Sequence, residues 1–144
     1  MRFITRFYEM TRPLALMRQT REVAQIIYGM PRLQQRELAT LAQQEIDIAA
    51  EQPVPHLHGS KSVSEDRPWG DAAELALSRA RSNVAQLRNR GLALWLATVF
   101  HETRDAPQSS MQSVHREVLG FLGLLKGTYG KRDTSSNVFS DRVA

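Results

Sequence analysis

The chain has 144 residues, a formal net charge of +4 and no cysteine. This length fits one domain with a single core. The absence of cysteine excludes disulfides, thiolate zinc sites and iron–sulfur clusters, and it permits an intracellular, reducing compartment. We expect the protein in the cytoplasm.

The positive charge is concentrated at the N-terminus. Up to Arg36 the chain holds seven arginines against Glu9 and Glu22, a net charge of +5, whereas the remainder carries −1. Only three of the 19 basic residues are lysines, and guanidinium groups suit forked contacts with carboxylate or phosphate. A basic end on a nearly neutral body predicts an acidic partner surface.

Two helices are predicted first. Pro13 is typical of a first helical turn, and apolar residues at helical spacing then predict a helix over residues 12–28. Gly29 suits the left-handed position that ends a helix, and Pro31 suits the start of the next one, over residues 31–51. The short connection predicts an αα-hairpin.

A linker and a long helix follow. Residues 52–70 hold three prolines and two glycines without a helical period, and they predict an internal linker. Asp71 and Glu74 form a capping box that opens a third helix, over residues 71–104. Its seam resembles coiled-coil packing, and we expect it in the protein's own core. The seam comprises Ala73, Leu77, Ala80, Val84, Leu87, Gly91, Leu94 and Thr98.

The stretch GLALWLATVF within this helix is apolar on nearly every face, which predicts a deeply buried segment with Trp95 in the core. It is about half the ~20 residues that a membrane-spanning helix requires. A last helix is predicted over residues 110–126, capped by Ser109 and Gln112. Residues 127–144 lack periodicity and predict a disordered tail.

These elements predict an all-α fold, a four-helix array in which the N-terminal αα-hairpin packs on the long third helix. Residues 1–126 are expected to form a single domain. No stretch alternates as a strand would.

The sequence IYGMPRLQQREL, residues 27–38, admits a DNA-reading interpretation. A helix-turn-helix protein contacts bases with polar side chains at the start of its second helix, and arginine and glutamine suit guanine and adenine. Arg32, Gln34, Gln35 and Arg36 supply these groups. The joint fits a plain hairpin equally well, and no third helix precedes the linker, so nucleic-acid binding is the alternative interpretation.

A third interpretation concerns the first residues. Apolar positions at helical spacing, interleaved with Arg2, Arg6 and Arg12, are typical of a segment that lies on an anionic membrane or targets an organelle. Pro13 is expected to interrupt a continuous helix here. The apolar positions are Phe3, Phe7, Met10, Leu14 and Met17.

No pattern for catalysis or cofactor binding is present. The chain lacks a phosphate-binding loop, a dinucleotide-binding glycine turn, a nucleophile elbow and a zincin motif. His56 and His58, and His101 with Asp105, have spacings seen in metal sites, but neither pair has a third ligand nearby in sequence. We therefore expect no enzyme, no catalytic residue, no cofactor and no metal.

The interpretation that the sequence favours is a binding protein: a helical adaptor, regulator or assembly subunit that grips an acidic protein surface. A helical homo-oligomer is compatible with it. Trp69, in the linker, is a candidate anchor for a partner. The candidate partner-binding residues are Arg2, Arg6, Arg12, Arg18, Arg21, Arg32 and Arg36.

Overall fold

The computed structural model describes the backbone of residues 2–51 and 68–127, and the side chains of residues 11–51 and 72–127. Five helices and no strand occur in these ranges, which confirms the all-α prediction. Residues 52–67 of the predicted linker and residues 128–144 of the predicted tail lie outside the described residues. The helices are α1 (Arg2–Tyr28), α2 (Arg32–Glu51), α3 (Pro68–Ala80), α4 (Ala85–Arg104) and α5 (Ser109–Lys126).

Helix α4 is the centre of the fold and contacts α2, α3 and α5. Its apolar segment is buried as the sequence predicts, and Trp95 is fully enclosed. Burial of a large aromatic side chain contributes about 2 to 3 kcal/mol relative to its exposure. The core that surrounds it also includes Leu16, Ile27, Leu38, Leu77, Val114 and Phe121.

The prediction of one long third helix is wrong. The chain turns between Arg81 and Val84, so residues 68–104 form two helices, α3 and α4. The Ser82 hydroxyl accepts a hydrogen bond of 3.0 Å from the backbone N–H of Val84, a local bond that competes with helical bonding. Two residues of the predicted seam therefore lie outside the core, since Val84 is 60% exposed and Leu87 is 44% exposed.

Close packing of α3 on α4 explains why the break is favourable. A Cβ atom on Gly91 would lie 2.5 Å from the backbone N of Ala80 and 2.7 Å from the carbonyl O of Ala76. Only glycine fits at this crossing. Ala73, Ala76, Leu77 and Ala80 are buried at the interface side of α3. The small residues of the seam therefore bring two helices of one chain together.

Helix α1 also differs from the prediction, because it begins at Arg2 and continues through Pro13. Proline inside a helix lacks an N–H donor and costs about 3 kcal/mol or more. The buried residues Leu16, Val23 and Ile27 hold the helix against the core, and this packing offsets the cost. Helix α3 likewise begins before its predicted capping box, at Pro68.

The joint between α1 and α2 is short, as predicted, but Gly29 does not have the expected positive φ. Its N–H bonds instead to the carbonyls of Gln25 and Ile26. The two helices contact each other little, and each packs on α5. Gly127 provides the left-handed ending, with φ of 82° after α5.

Candidate protein-binding surface

The inner face of α1 is joined to the body by polar side chains. Arg12 forms a bidentate ion pair with Glu102 of α4, with both N–O distances 2.7 Å. Further along, the indole Nε1 of Trp95 donates to Gln19 over 2.8 Å, and Gln19 donates to Glu74 of α3 over 2.7 Å. The order of these contacts shows that α1 runs antiparallel to α4.

A second ion pair closes the other end of this face. Arg81, in the turn after α3, donates to both carboxylate oxygens of Glu22 over 2.7 and 3.0 Å. The Arg81 hydrogen bonds hold the pKa of Glu22 below its usual value. Glu22 is therefore already neutralised by an internal partner, and it does not offset the arginines on the outer face of α1.

The outer face of α1 combines apolar and basic side chains. Leu14 is 62% exposed and Met17 is 36% exposed, and both are large apolar residues. Arg18 and Arg21 are exposed beside them, at helical spacings of four residues from each in turn. We call these four residues the outer face. Because α1 is one continuous helix, the backbone positions of Phe3, Phe7 and Met10 lie on the same side of the helix as the outer face.

A groove lies next to the outer face, between α1 and α5. Its cavity has a volume of about 230 Å³. The lining combines apolar and small side chains with charged groups at the edge. It consists of Met17, Thr20, Arg21 and Ala24 of α1 with Ser113, Val114 and Glu117 of α5. Such a groove can receive apolar side chains of a partner.

The lining of the groove carries one side chain of each charge, and two further arginines lie next to it. Arg21 stands on the α1 side, and on the α5 side Arg116 donates to the Ser113 hydroxyl over 3.2 Å. Glu117 is the acidic residue among the lining side chains. Arg18 and Arg116 are exposed and do not line the cavity. Counted with Arg21 and Glu117, they give this part of the surface a net positive charge. This charge favours an acidic ligand.

Arg12 does not belong to this surface, which corrects its assignment as a partner-binding residue. Its side chain and that of Glu102 are only 8% and 9% exposed. A buried, bidentate guanidinium is committed to the fold. Sequence reasoning could not detect this, because Glu102 is 90 positions away.

The start of α2 is also occupied by internal contacts. Arg32 donates to the Gln35 amide over 2.9 Å and to the carbonyl of Leu124, at the end of α5, over 3.0 Å. Gln35 is buried and donates to the Ile27 carbonyl over 2.8 Å, and Gln34 accepts from Arg88 of α4. Base reading by these side chains would require several internal bonds to break.

Of the other predicted binding residues, the structure describes the side chain of Arg36 but only the backbone of Arg2, Arg6 and Trp69. Arg36 is exposed on α2 and away from the groove lining. Arg2 and Arg6 lie in the first turns of α1, and Trp69 lies in the first turn of α3. Their side chains fall outside the described residues.

The part of the chain that the structure describes contains no candidate metal site, because no three or more His, Asp or Glu side chains come together there. His101 contacts the Ile46 carbonyl at 3.1 Å through Nε2. His115 contacts the Thr103 hydroxyl at 3.0 Å through Nδ1, and burial lowers its pKa. The pair His56 and His58 lies outside the described residues. None of the described helices is both long enough and apolar enough to span a membrane.

Comparison with known proteins identifies no relative. No family model matches the chain, and no curated protein or solved structure matches it either.

Proposed function

We propose that this protein is a non-enzymatic protein-interaction module, an adaptor, regulator or assembly subunit, that binds an acidic protein through the outer face of α1. The observation that carries the proposal is the exposure of Leu14 and Met17 on the same helix face as Arg18 and Arg21. A chain without cysteine suits a reducing cytoplasm, where we place it.

The combination of apolar and cationic groups supports protein binding. Arginine is enriched among the residues that dominate binding at protein interfaces, and methionine is enriched at interfaces in general. Leu14 and Met17 supply apolar area that gains by removal from water. Arg18 and Arg21 supply forked donors for carboxylates and would steer an acidic partner during encounter.

The internal contacts favour this surface over the start of α2. Arg32 stabilises the carbonyl end of α5, where cations interact well with unpaired carbonyls and the helix dipole. The side chains of Gln34 and Gln35 also have partners within the protein. Arg18 and Arg21, by contrast, extend from an exposed face beside an open groove.

A charge-reversal experiment tests the proposal. Tagged full-length protein, treated with nuclease, is incubated with extract of the cells that produce it, and captured proteins are quantified by mass spectrometry. The test variant is Arg18→Glu/Arg21→Glu. Its matched control, Arg90→Glu/Arg104→Glu, makes the same change in net charge at exposed positions of α4. Circular dichroism verifies that both variants remain folded.

We expect an acidic protein that the wild type and the control retain and that the α1 variant loses by at least about tenfold, equivalent to about 1.4 kcal/mol. When that protein is purified, the wild type and the control should bind it and the α1 variant should bind it more weakly. Equal capture by both variants would contradict the assignment of the surface. Recovery of nucleic acid alone before nuclease treatment would favour the nucleic-acid alternative.

A further inference from the structure

The groove lies where α1 and α5 run side by side. Met17 and Ala24 of α1 line the cavity together with Val114 of α5. Later in both helices, the rings of Tyr28 and Phe121 meet edge-on, with centroids 6.3 Å apart. The two helices therefore run side by side in the same direction, and we call the space between their neighbouring edges the channel.

Small residues keep this channel open. Ala24 lines the α1 side and Ser113 lines the α5 side. Gly120 is seven residues after Ser113 and three after Glu117, so it lies on the same edge of α5. A Cβ atom on Gly120 would have no heavy atom within 4 Å among its surroundings. Small residues along a groove allow the backbone of a third helix to approach closely.

We propose that this groove seats one amphipathic helix of a partner protein, with its apolar edge against Met17, Ala24 and Val114 and its carboxylates towards Arg21 and Arg116. The inference rests on the proposed function and adds the form of the partner. Helix-in-groove recognition uses apolar anchors at spacings of three and four residues. Acidic residues on both flanks of such a stripe meet guanidinium groups on both sides of the groove.

The shape of the groove favours a helix over an extended segment. Extended peptides bind by adding a strand to a sheet edge, and the described part of this protein has no strand. Two parallel helices instead present ridges and a groove that match the surface of a third helix.

The charge favours a different protein over a second copy of this chain. A symmetric pairing of two outer faces would place Arg18 and Arg21 close to the same arginines, which is unfavourable. The acidic helix of this chain, α2, exposes mainly polar side chains between Leu33 and Ile48. It therefore lacks the apolar edge that the groove requires.

A substitution at Gly120 that blocks the channel tests directly whether a partner helix binds there. Gly120→Leu directs a branched side chain over the channel, where the structure leaves space, and leucine is a better helix former than glycine. Gly120→Ala is the matched control, because it improves the helix while leaving the groove open. The probe is a displayed library of helical peptides of about 20 residues, a length that supports a helix in isolation. The peptides carry fixed leucines at spacings of three and four residues and have randomised flanks.

We expect selected peptides to be enriched in Asp and Glu on both flanks. Gly120→Leu should weaken their binding by at least about tenfold, as loss of an apolar seat implies, and Gly120→Ala should bind like the wild type. The inference is overturned if no binder is selected, if the flanks are basic or neutral, or if Gly120→Leu binds normally. A dimer seen by light scattering and abolished by Gly120→Leu would show that a second copy occupies the groove instead.

The test separates this inference from the proposed function. If Arg18→Glu/Arg21→Glu abolishes binding of the acidic protein while Gly120→Leu leaves it intact, the outer face binds the partner but the groove does not seat a helix. If both variants bind normally, both proposals fail.

Discussion

The guanidinium of Arg12 and the carboxylate of Glu102 form a buried bidentate pair that fastens α1 to the central helix α4. The same geometry recurs between Arg81 and Glu22, but there the two side chains are 48% and 36% exposed. Removing one partner of a buried pair leaves a charge without compensation, whereas an exposed charge remains hydrated. The two pairs therefore differ in their effect on stability.

Glu102→Leu should lower the free energy of unfolding by about 3 kcal/mol. Arg12→Leu/Glu102→Leu should recover most of this loss, because apolar side chains replace both charges. Glu22→Leu, the exposed counterpart, should cost no more than about 1 kcal/mol. Urea denaturation measures all three. Equal losses for Glu102→Leu and Glu22→Leu would show that the pair with Arg12 is not buried in solution.

Two glycines should respond in opposite ways to alanine. At Gly91 the new methyl group would lie 2.5 Å from the Ala80 backbone and would force α3 away from α4, so Gly91→Ala should destabilise the protein despite its better helix propensity. At Gly120 there is open space, and Gly120→Ala should stabilise by about 0.5 to 1 kcal/mol. Thermal unfolding of both variants checks the contrast, which fails if Gly91→Ala is also stabilising.

Leu87 lies beside an open cavity at the start of α4 and is 44% exposed. Leu87→Asp should therefore leave a folded protein, with a loss of about 1 kcal/mol from the apolar area that is still covered. Leu92→Asp buries a charge at a fully enclosed position of the same helix and should unfold the protein. Circular dichroism distinguishes the two variants. Unfolding of both would show that Leu87 is part of the core in solution.

His115 should make stability depend on pH. Burial lowers its pKa in the folded state below the ordinary value of 6.5, and Arg104 adds to the effect. The folded protein thus binds this proton less readily than the unfolded chain does, so the free energy of unfolding should be highest above pH 6.5 and should fall as pH decreases. His115→Asn, which cannot titrate, should reduce the slope between about pH 7 and pH 5. An unchanged slope would refute the assignment, since the lowered pKa of Glu22 acts only in more acidic solution.

Local patterns predicted the helical class, the buried segment around Trp95 and the existence of most helices, because these depend on periodicity. They failed where tertiary contacts decide the outcome. The seam through Leu87 is periodic, but the turn at Ser82 and the close approach at Gly91 make a folded-back pair more favourable. Pro13 was a reasonable start signal, yet the packing of the following residues sustains the helix through it.

The candidate site was predictable only in part. The sequence located the arginine-rich segment, but it could not distinguish Arg12, which pairs with a residue 90 positions away, from Arg18 and Arg21, which remain at the surface. Assigning an arginine to the core or to solvent requires knowledge of what packs on each side of the helix. The groove is likewise formed by helices at opposite ends of the described chain, so no local pattern records it.

The most direct test of the central claim is a charge-swap titration, in which calorimetry measures binding of a selected acidic helical peptide and of its lysine-substituted counterpart. Wild-type protein should bind the acidic peptide, and Arg18→Glu/Arg21→Glu should lose it by at least about tenfold. The reversed protein should gain affinity for the lysine peptide, because opposite charges again face each other across the outer face. Loss without such recovery, or binding of the acidic peptide that does not change with the arginines, would contradict recognition of an acidic partner by this face of α1.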